Sequence, residues 1–369
     1  MACQTKTPMD YRCIKDFSKE TFPEHRGCIK FKDILEKEYR YWFLAKEKVT
    51  SELLNHTSHV DKTDLARSLY GERDLLFRRK RNRTRFQIVG NKLYFIGGYS
   101  RAHARERQWR KILKKLLEYA PLVDTDFVIN MLDEPCVIKH SCVPLFSICK
   151  TDAHEDLLLP NFFGMQTFTD PYSWEQKENR CIWRGSTTGG GNLHGCWKKY
   201  PRSVLVRLKE QFPDLDVAYT GFVQYDKRTL PSMQNSLSLG QYVSLKDQCA
   251  YKYFVQVDGN TTAWRFVDLL ASNSVVFKQE SPFYEFYYPL LKANEHYIPI
   301  GPYCEDLPQK IEWAKGNDCE AKKISENASR SVRENLTIHD YYCYLWNTLT
   351  LYTQLLGFKV SVHSKAKRA

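Results

Sequence analysis

No stretch of this chain approaches the ~18 consecutive apolar residues that a membrane helix requires, so nothing in its 369 residues reads as a membrane span. The opening MACQTKTPMDYRC lacks the apolar core of a secretory signal. None of the 12 cysteines sits in a CxxC pair or in a Cys/His cluster with zinc spacing, which argues against a structural zinc site. The glycine-rich stretch Arg184-Gly185-Ser186-Thr187-Thr188-Gly189-Gly190-Gly191 has no GK[ST] ending, so it is not a Walker loop. Wholesale disorder is also ruled out, because 43% of the residues are hydrophobic and 14% aromatic, ample for packed cores.

What is present begins with length. At 369 residues the chain exceeds the ~250–300 at which a single core stops growing, so two domains with a cleft between them are expected. The net charge of +12 calls for an anionic partner, and basic runs at Arg78-Arg79-Lys80-Arg81 and from Arg101 to Lys111 bring nucleic acid into consideration. The second run interleaves with Trp109, Ile112, Leu113 and Leu116, the core stripe of an amphipathic helix, so its charges read as a solvated face and no nucleic-acid partner is expected. An even cysteine count and sequons at Asn55, Asn82, Asn260, Asn327 and Asn335 lean toward an oxidising secretory compartment. That lean conflicts with the missing signal: either the start is incomplete or the cysteines are free.

Between Phe31 and Leu54, the positions Phe31, Ile34, Leu35, Trp42, Ala45 and Val49 approximate one helical face. Phe86-Gln87-Ile88-Val89, then Gly90-Asn91, then Lys92 to Ile96 is a hairpin signal with a two-residue turn. A basic helix from about Ala102 to Tyr119 and a buried strand at Phe127-Val128-Ile129-Asn130 complete an α/β first domain. Asp133 follows that strand by three residues, with Pro135 fixing the chain just beyond it. Residues past the carboxyl ends of strands line the ligand crevice of open α/β sheets, and a carboxylate there can take a proton from a hydroxyl nucleophile.

The second half reads as two strand-turn-helix-strand units. One runs from Cys181-Ile182-Trp183 through the glycine-rich stretch to a helix with Val204, Leu205 and Leu208 and a strand at Asp216 to Tyr219. The other starts with the strand Tyr253 to Val257, turns at Asp258-Gly259-Asn260, and continues into a helix carrying Ala263, Phe266, Val267 and Leu270 before the strand Val275-Val276-Phe277. A parallel sheet with both glycine turns at one edge follows. Asn260 or Thr261 is positioned to cap that helix, whose amino end favours an anion, and Arg265 in its first turns can add a bidentate contact to a diphosphate. Two DxD patterns, Asp124-Thr125-Asp126 and Asp214-Leu215-Asp216, precede their strands and are read as turn acids rather than metal ligands.

In family order, IWRGSTTGG, DVAYTGFVQ, YKYFVQVDGNTTAWRF, SVVFKQESPFYEFYYPLL and HYIPI resemble the capsule-associated, Rumi and KDEL-motif-containing protein O-glycosyltransferases, glycosyltransferase family 90. The resemblance covers roughly Phe86 to Leu355. It implies an α/β, GT-B fold, two Rossmann-like domains facing across a cleft, and inverting, metal-independent transfer of glucose or xylose from UDP-glucose or UDP-xylose, with no cofactor. By motif, Asp133 matches the catalytic base, while Arg184, Gly185 and Ser186 with Gly259, Asn260, Thr261, Thr262, Ala263, Trp264 and Arg265 match the donor diphosphate site. Tyr251, Lys252 and Tyr253 match a structural strand. Expected domains are a helical segment 1–60, an acceptor-side domain 61–178, a donor domain 179–340 and a C-terminal helix and tail 341–369 packing on the first domain.

The implied acceptor is a serine of an EGF-like repeat in the secretory lumen; a glycan acceptor, or a lumenal binding protein without turnover, are the alternatives. Several features depart from the family. The ending Lys367-Arg368-Ala369 is not a KDEL-type signal, and the segment Gly164 to Glu175 is shorter than the acceptor-contacting segment of Rumi-like enzymes. The resemblance gives Cys249 a partner position near Ala271-Ser272, where no cysteine stands. It joins Cys343 to an N-terminal cysteine, for which Cys3, Cys13 or Cys28 could serve. Asn260, inside the donor motif, is expected to stay unglycosylated.

Overall fold

The structure is a computed structural model that describes residues 30–45, 48–54, 83–96, 103–137, 144–163, 165, 169–189, 196–225, 228–237 and 239–369. The basic run Arg78–Arg81, the sequons at Asn55 and Asn82, glycines 190 and 191 and Cys3, Cys13 and Cys28 lie outside the described residues. The chain divides into two compact units, one holding Asn161–Ile338 and the other Ser18–Pro160 with His339–Ala369. Residues 161–163 and 169–178 lie in the unit that holds Asn161–Ile338. There Lys177 donates to the Cys249 carbonyl at 2.5 Å and the Trp174 indole to Asp318 at 3.0 Å.

The first unit holds helices α1 (Lys32–Leu44) and α2 (His103–Tyr119) and strands β1 (Arg83–Val89), β2 (Lys92–Ile96), β3 (Thr125–Asn130), β4 (Phe146–Ser147) and β5 (Leu157–Leu158). The helical face expected to run to Val49 stops at Leu44, and Val49 instead bridges to Leu356. The strands order β2-β1-β3-β4-β5, with the two-residue strand Lys367–Arg368 closing the β2 edge. Only β3, β4 and β5 are parallel; the hairpin β1–β2 pairs antiparallel. Gly90 and Asn91 adopt φ of 54° and 57°, the left-handed pair that a two-residue hairpin turn needs. Arg85 and Asp126, 1% exposed each, face one another inside this sheet. Arg85 Nε and Nη2 reach the two carboxylate oxygens at 2.6 and 2.5 Å, and Gln87 adds a third donor at 2.6 Å. Asp126 is thus a strand residue in a buried ion pair, not the turn acid expected, because β3 begins one residue before it. Tyr352, from the helix Ile338–Thr353, packs its ring on Phe127 and Phe146 over the same sheet.

The second unit holds β6 (Glu178–Ser186), α3 (Pro201–Leu208), β7 (Leu215–Gly221), β8 (Tyr251–Gln256), α4 (Phe266–Ala271), β9 (Val275–Gln279) and β10 (Ile298–Ile300). All five strands are parallel in the order β10-β9-β8-β6-β7. Near-continuous apolar runs suit strands covered on both faces: Cys181, Trp183, Val217, Tyr253, Val255, Val275 and Phe277 share one core with Leu205 of α3. Both units are α/β, the class expected of a GT-B chain. Tyr251, Lys252 and Tyr253 are structural anchors, bonded to Asp216, Asp318 and Asn179 respectively.

Candidate functional site

The parallel sheet reverses its chain order between β6, which leads outward to β7, and β8, which starts the run toward β9 and β10. Open α/β sheets bind ligands beyond the carboxyl ends of strands at such a reversal. Here those ends carry residues 184–189 and 258–265.

The two turns interlock because glycine leaves no side chain between them. Gly189 has φ +102°, and a β-carbon on it would stand 2.5 Å from the Gly259 carbonyl oxygen. A β-carbon on Gly259 would lie 2.9 Å from Thr188 Oγ1 and 3.0 Å from Arg202 Nη2. Gly185 is as tightly enclosed, 2.5 Å from the Trp183 indole. Arg202, in the first turn of α3, binds both turns at once. Its Nε donates to the Asp258 carbonyl (2.8 Å), Nη1 to the Ser186 carbonyl (3.0 Å) and Thr188 Oγ1 (2.5 Å), and Nη2 to the Val257 carbonyl (3.1 Å).

Arg265 donates from Nη1 to the Arg184 carbonyl at 2.7 Å. Its guanidinium and that of Arg202 lie 5.9 and 5.5 Å from the centroid of the same Trp183 ring. Burial, and then the positive charge of Arg202, push the Arg265 group down to about 9, and burial pushes Arg202 down to about 10. Two buried cations at the carboxyl end of a parallel sheet favour an anion there.

The Arg184 side chain, expected at the diphosphate site, is engaged by the neighbouring strand. Trp183 points into the core, so the next side chain leaves by the opposite face of the strand. The Arg184 guanidinium pairs there with Asp216 Oδ1 at 2.7 Å and donates to the carbonyls of Asp216 and Gln241. Burial pushes the Asp216 carboxyl up, but hydrogen bonds from Tyr251 and Arg184 outweigh it and hold the group below its ordinary value. Asp216, the second residue of β7, is therefore a strut between strands rather than a turn acid. Asp124 accepts the Gly90 N–H, and Asp214 pairs with Lys315. Among the described residues no group of three or more His, Cys, Asp or Glu is arranged to hold a metal ion.

The helix expected to follow Asn260 starts later, at Phe266, with Arg265 at its cap position and no side-chain cap. Residues 258–265 close on themselves instead: Gly259 N–H bonds the Thr261 carbonyl at 2.9 Å, Ala263 N–H reaches Asp258 Oδ1 at 3.3 Å, and Gln256 Nε2 holds the Ala263 carbonyl at 2.8 Å. Asn260 and Thr261 therefore cap no helix, and six residues of α4 offer little dipole. Thr261 and Thr262 are buried, and the Trp264 ring packs on Phe163 at 5.7 Å. Behind Thr262 lies Glu285, 2% exposed. Burial pushes its carboxyl up to about 8, with Asp258 adding to the rise and Thr262 and Asn161 opposing it. A cavity of about 460 Å³ opens beside the turns, bordered by Gly189, Arg202, Gly259, Ser281, Phe283 and Tyr303, a volume within the usual range for small-ligand sites.

Within the first unit, Asp133 lies past the end of β3, the strand that begins the parallel part of its sheet. Arg105 of α2 donates from Nη2 to Asp133 Oδ1 at 2.6 Å, and both side chains are 25% exposed. Sequence reasoning missed Arg202 and Arg105. Arg202 follows Pro201 at a helix start, which marks a first turn but names no partner; Arg105 is one of several arginines on a basic helix.

A family model described as "Glycosyl transferase family 90" matches residues 64–369. Protein O-glucosyltransferase 3 of Homo sapiens is 30% identical over 277 residues, covering 68% of this chain and 51% of the relative. The O-glucosyltransferase rumi homolog of Aedes aegypti is 28% identical over 359 residues, covering 87% and 85%. Protein O-glucosyltransferase 1 of Homo sapiens is 27% identical, covering 77% and 75%. The chain spans about half the length of several curated relatives it matches. Among solved structures it is similar to TarM, with 13% identity, a TM-score of 0.38 and coverage of 54% of this chain and 40% of that one.

Proposed function

The chain belongs to glycosyl transferase family 90, and from that premise we propose that it is an inverting, metal-independent transferase moving glucose or xylose from a UDP-sugar to a serine hydroxyl of a secreted protein such as an EGF-like repeat. The observation that carries this reading is the pair Arg202 and Arg265, two buried cations near one Trp183 ring at the carboxyl end of the sheet, where a diphosphate would offset both charges. Gly189 and Gly259 let the two turns pack against each other, and the adjoining cavity offers space for the nucleoside. Arg184 contributes through its carbonyl, which orients Arg265, rather than through its guanidinium.

In this reading Asp133 takes the proton from the serine Oγ as that oxygen attacks the anomeric carbon from the face opposite UDP. The bond from the anomeric carbon to the β-phosphate oxygen breaks, and UDP departs with the charge that Arg265 and Arg202 offset. A secretory-lumen location is supported by Cys343, which is disulfide-bonded, since such bonds persist in oxidising compartments. Among the described residues no helix is long and apolar enough to cross a membrane.

The test is UDP release from UDP-glucose and UDP-xylose in EDTA, with a folded EGF-like acceptor and Asp133→Asn protein alongside. Acceptor-dependent release that the variant lacks is expected, and the faster donor names the sugar. Transfer only to a glycan panel would replace the acceptor, and undiminished transfer by Asp133→Asn would remove that residue as the base.

A further inference from the structure

A base that trails its strand by three residues inherits the play of the turn that carries it. Productive proton transfer tolerates roughly 0.5 Å of displacement, and a misplacement of about 1 Å can cost on the order of 10²-fold in rate. The main chain around Asp133 is braced from within: Asn130 Nδ2 donates to the Glu134 carbonyl at 2.7 Å, Asn130 Oδ1 accepts the Leu132 N–H at 3.1 Å, and Cys149 Sγ lies 3.1 Å from the Asp133 carbonyl. None of these contacts fixes the side chain's carboxylate.

Arg105 does. One nitrogen of its guanidinium, Nη1, donates to the Met131 carbonyl at 2.7 Å, while Nη2 holds Asp133 Oδ1 at 2.6 Å. A single rigid fork thus spans from the end of β3 to the carboxylate, and its base is fixed in the first turn of α2, whose Trp109, Ile112, Leu113 and Leu116 are buried. We propose that Arg105 is a positioning residue for the transfer reaction, fixing the Asp133 carboxylate relative to the end of β3 so that it meets the acceptor hydroxyl. The inference rests on the reading of Asp133 as the base. Lysine, a compact point charge without the planar fork, can serve the carbonyl or the carboxylate but not both in this geometry.

The experiment measures kcat, donor KM and UDP affinity for the full chain and for Arg105→Ala, Arg105→Lys and Asp133→Asn. Arg105→Ala is expected to lower kcat by about 10- to 100-fold, leaving donor KM and UDP affinity within about twofold. Arg105→Lys should recover part of the lost kcat, and Asp133→Asn should abolish transfer. An unchanged kcat in Arg105→Ala, beside an inactive Asp133→Asn, would overturn the role of Arg105 and leave the base standing. Loss of UDP binding in step with kcat, or no recovery by lysine, would mark a merely structural contact and overturn it too. Normal transfer by Asp133→Asn would remove the base, and this inference with it.

Discussion

Gly189 packs so closely on Gly259 that it tolerates no β-carbon: the Gly259 carbonyl oxygen would stand 2.5 Å from a methyl on it, and Gly189 already holds φ +102°. Gly189→Ala therefore faces a steric clash with main chain and a backbone conformation that alanine disfavours. The expected result is a loss of UDP affinity of at least tenfold, measured by calorimetry, with far-ultraviolet circular dichroism unchanged. Wild-type affinity in the variant would mean that the turns separate without consequence for the ligand.

Arg265 and Arg184, beside the glycine turns, should separate by readout. Removing a charge-assisted bond to a diphosphate costs roughly 1.5–3 kcal/mol, or about 10- to 150-fold in affinity. Arg265→Met is expected to lose UDP affinity in that range. Arg184→Met should act mainly on stability, because its partner is Asp216 on the neighbouring strand. Equal losses of UDP affinity from both would show that the guanidinium of Arg184 swings to the ligand.

Glu285 gives a pH signature. Its carboxyl titrates near 8 in the folded chain and near the ordinary 4.5 once unfolded, so between those values the folded state holds the extra proton. Stability is then lost as pH rises from about 4.5 to 8, at up to ~1.4 kcal/mol per unit. Glu285→Gln cannot ionise, so its stability relative to the native chain should improve steadily between pH 5 and pH 8. Urea unfolding at four pH values reads this directly, and parallel profiles would contradict it.

Asp126→Ala strands the Arg85 guanidinium inside the first sheet. Breaking such a buried pair typically costs ~3–5 kcal/mol, visible as a lower urea midpoint with an unchanged slope. The double variant Arg85→Met, Asp126→Leu should recover most of that loss, since it removes both charges together. A single variant as stable as the native chain would mean that water reaches Arg85.

The sequence made the strands legible where apolar runs met turn residues. Phe86 to Ile96 folds as the expected hairpin, and Tyr253 and Val275 to Phe277 lie in neighbouring parallel strands. It also located the two glycine turns. It did not reveal the acceptors that the arginines chose. The bonds of Arg202 run to carbonyls of Ser186, Val257 and Asp258, and main-chain atoms leave no residue-type signal. The start of α4 differs from the sequence pattern for a related reason: the 3.6-residue spacing of Ala263 to Leu270 is present, but Gln256 and Asp258 hold Ala263 in the turn. Asp216 and Asp126 look alike in their DxD settings, and only the strand register sets each diagonally across from its arginine, Asp126 opposite Gln87 and Asp216 opposite Ile182.

Where the family resemblance would seat a disulfide, this chain has a charge pair. Cys249 is a buried free thiol, and Lys177 binds its carbonyl while pairing with Asp170, whose carboxylate also accepts the N–H of Asn273. The segments leading into β8 and β9 are thereby tied without sulfur. Cys181, Cys196, Cys304 and Cys319 are likewise free, so Asn161–Ile338 contains no link that a thiol could cleave. The bonded Cys343 belongs to the other unit. The reducing power of the surroundings can therefore act on the disulfide of Cys343, while among residues 161–338 it finds no sulfur bond to cleave.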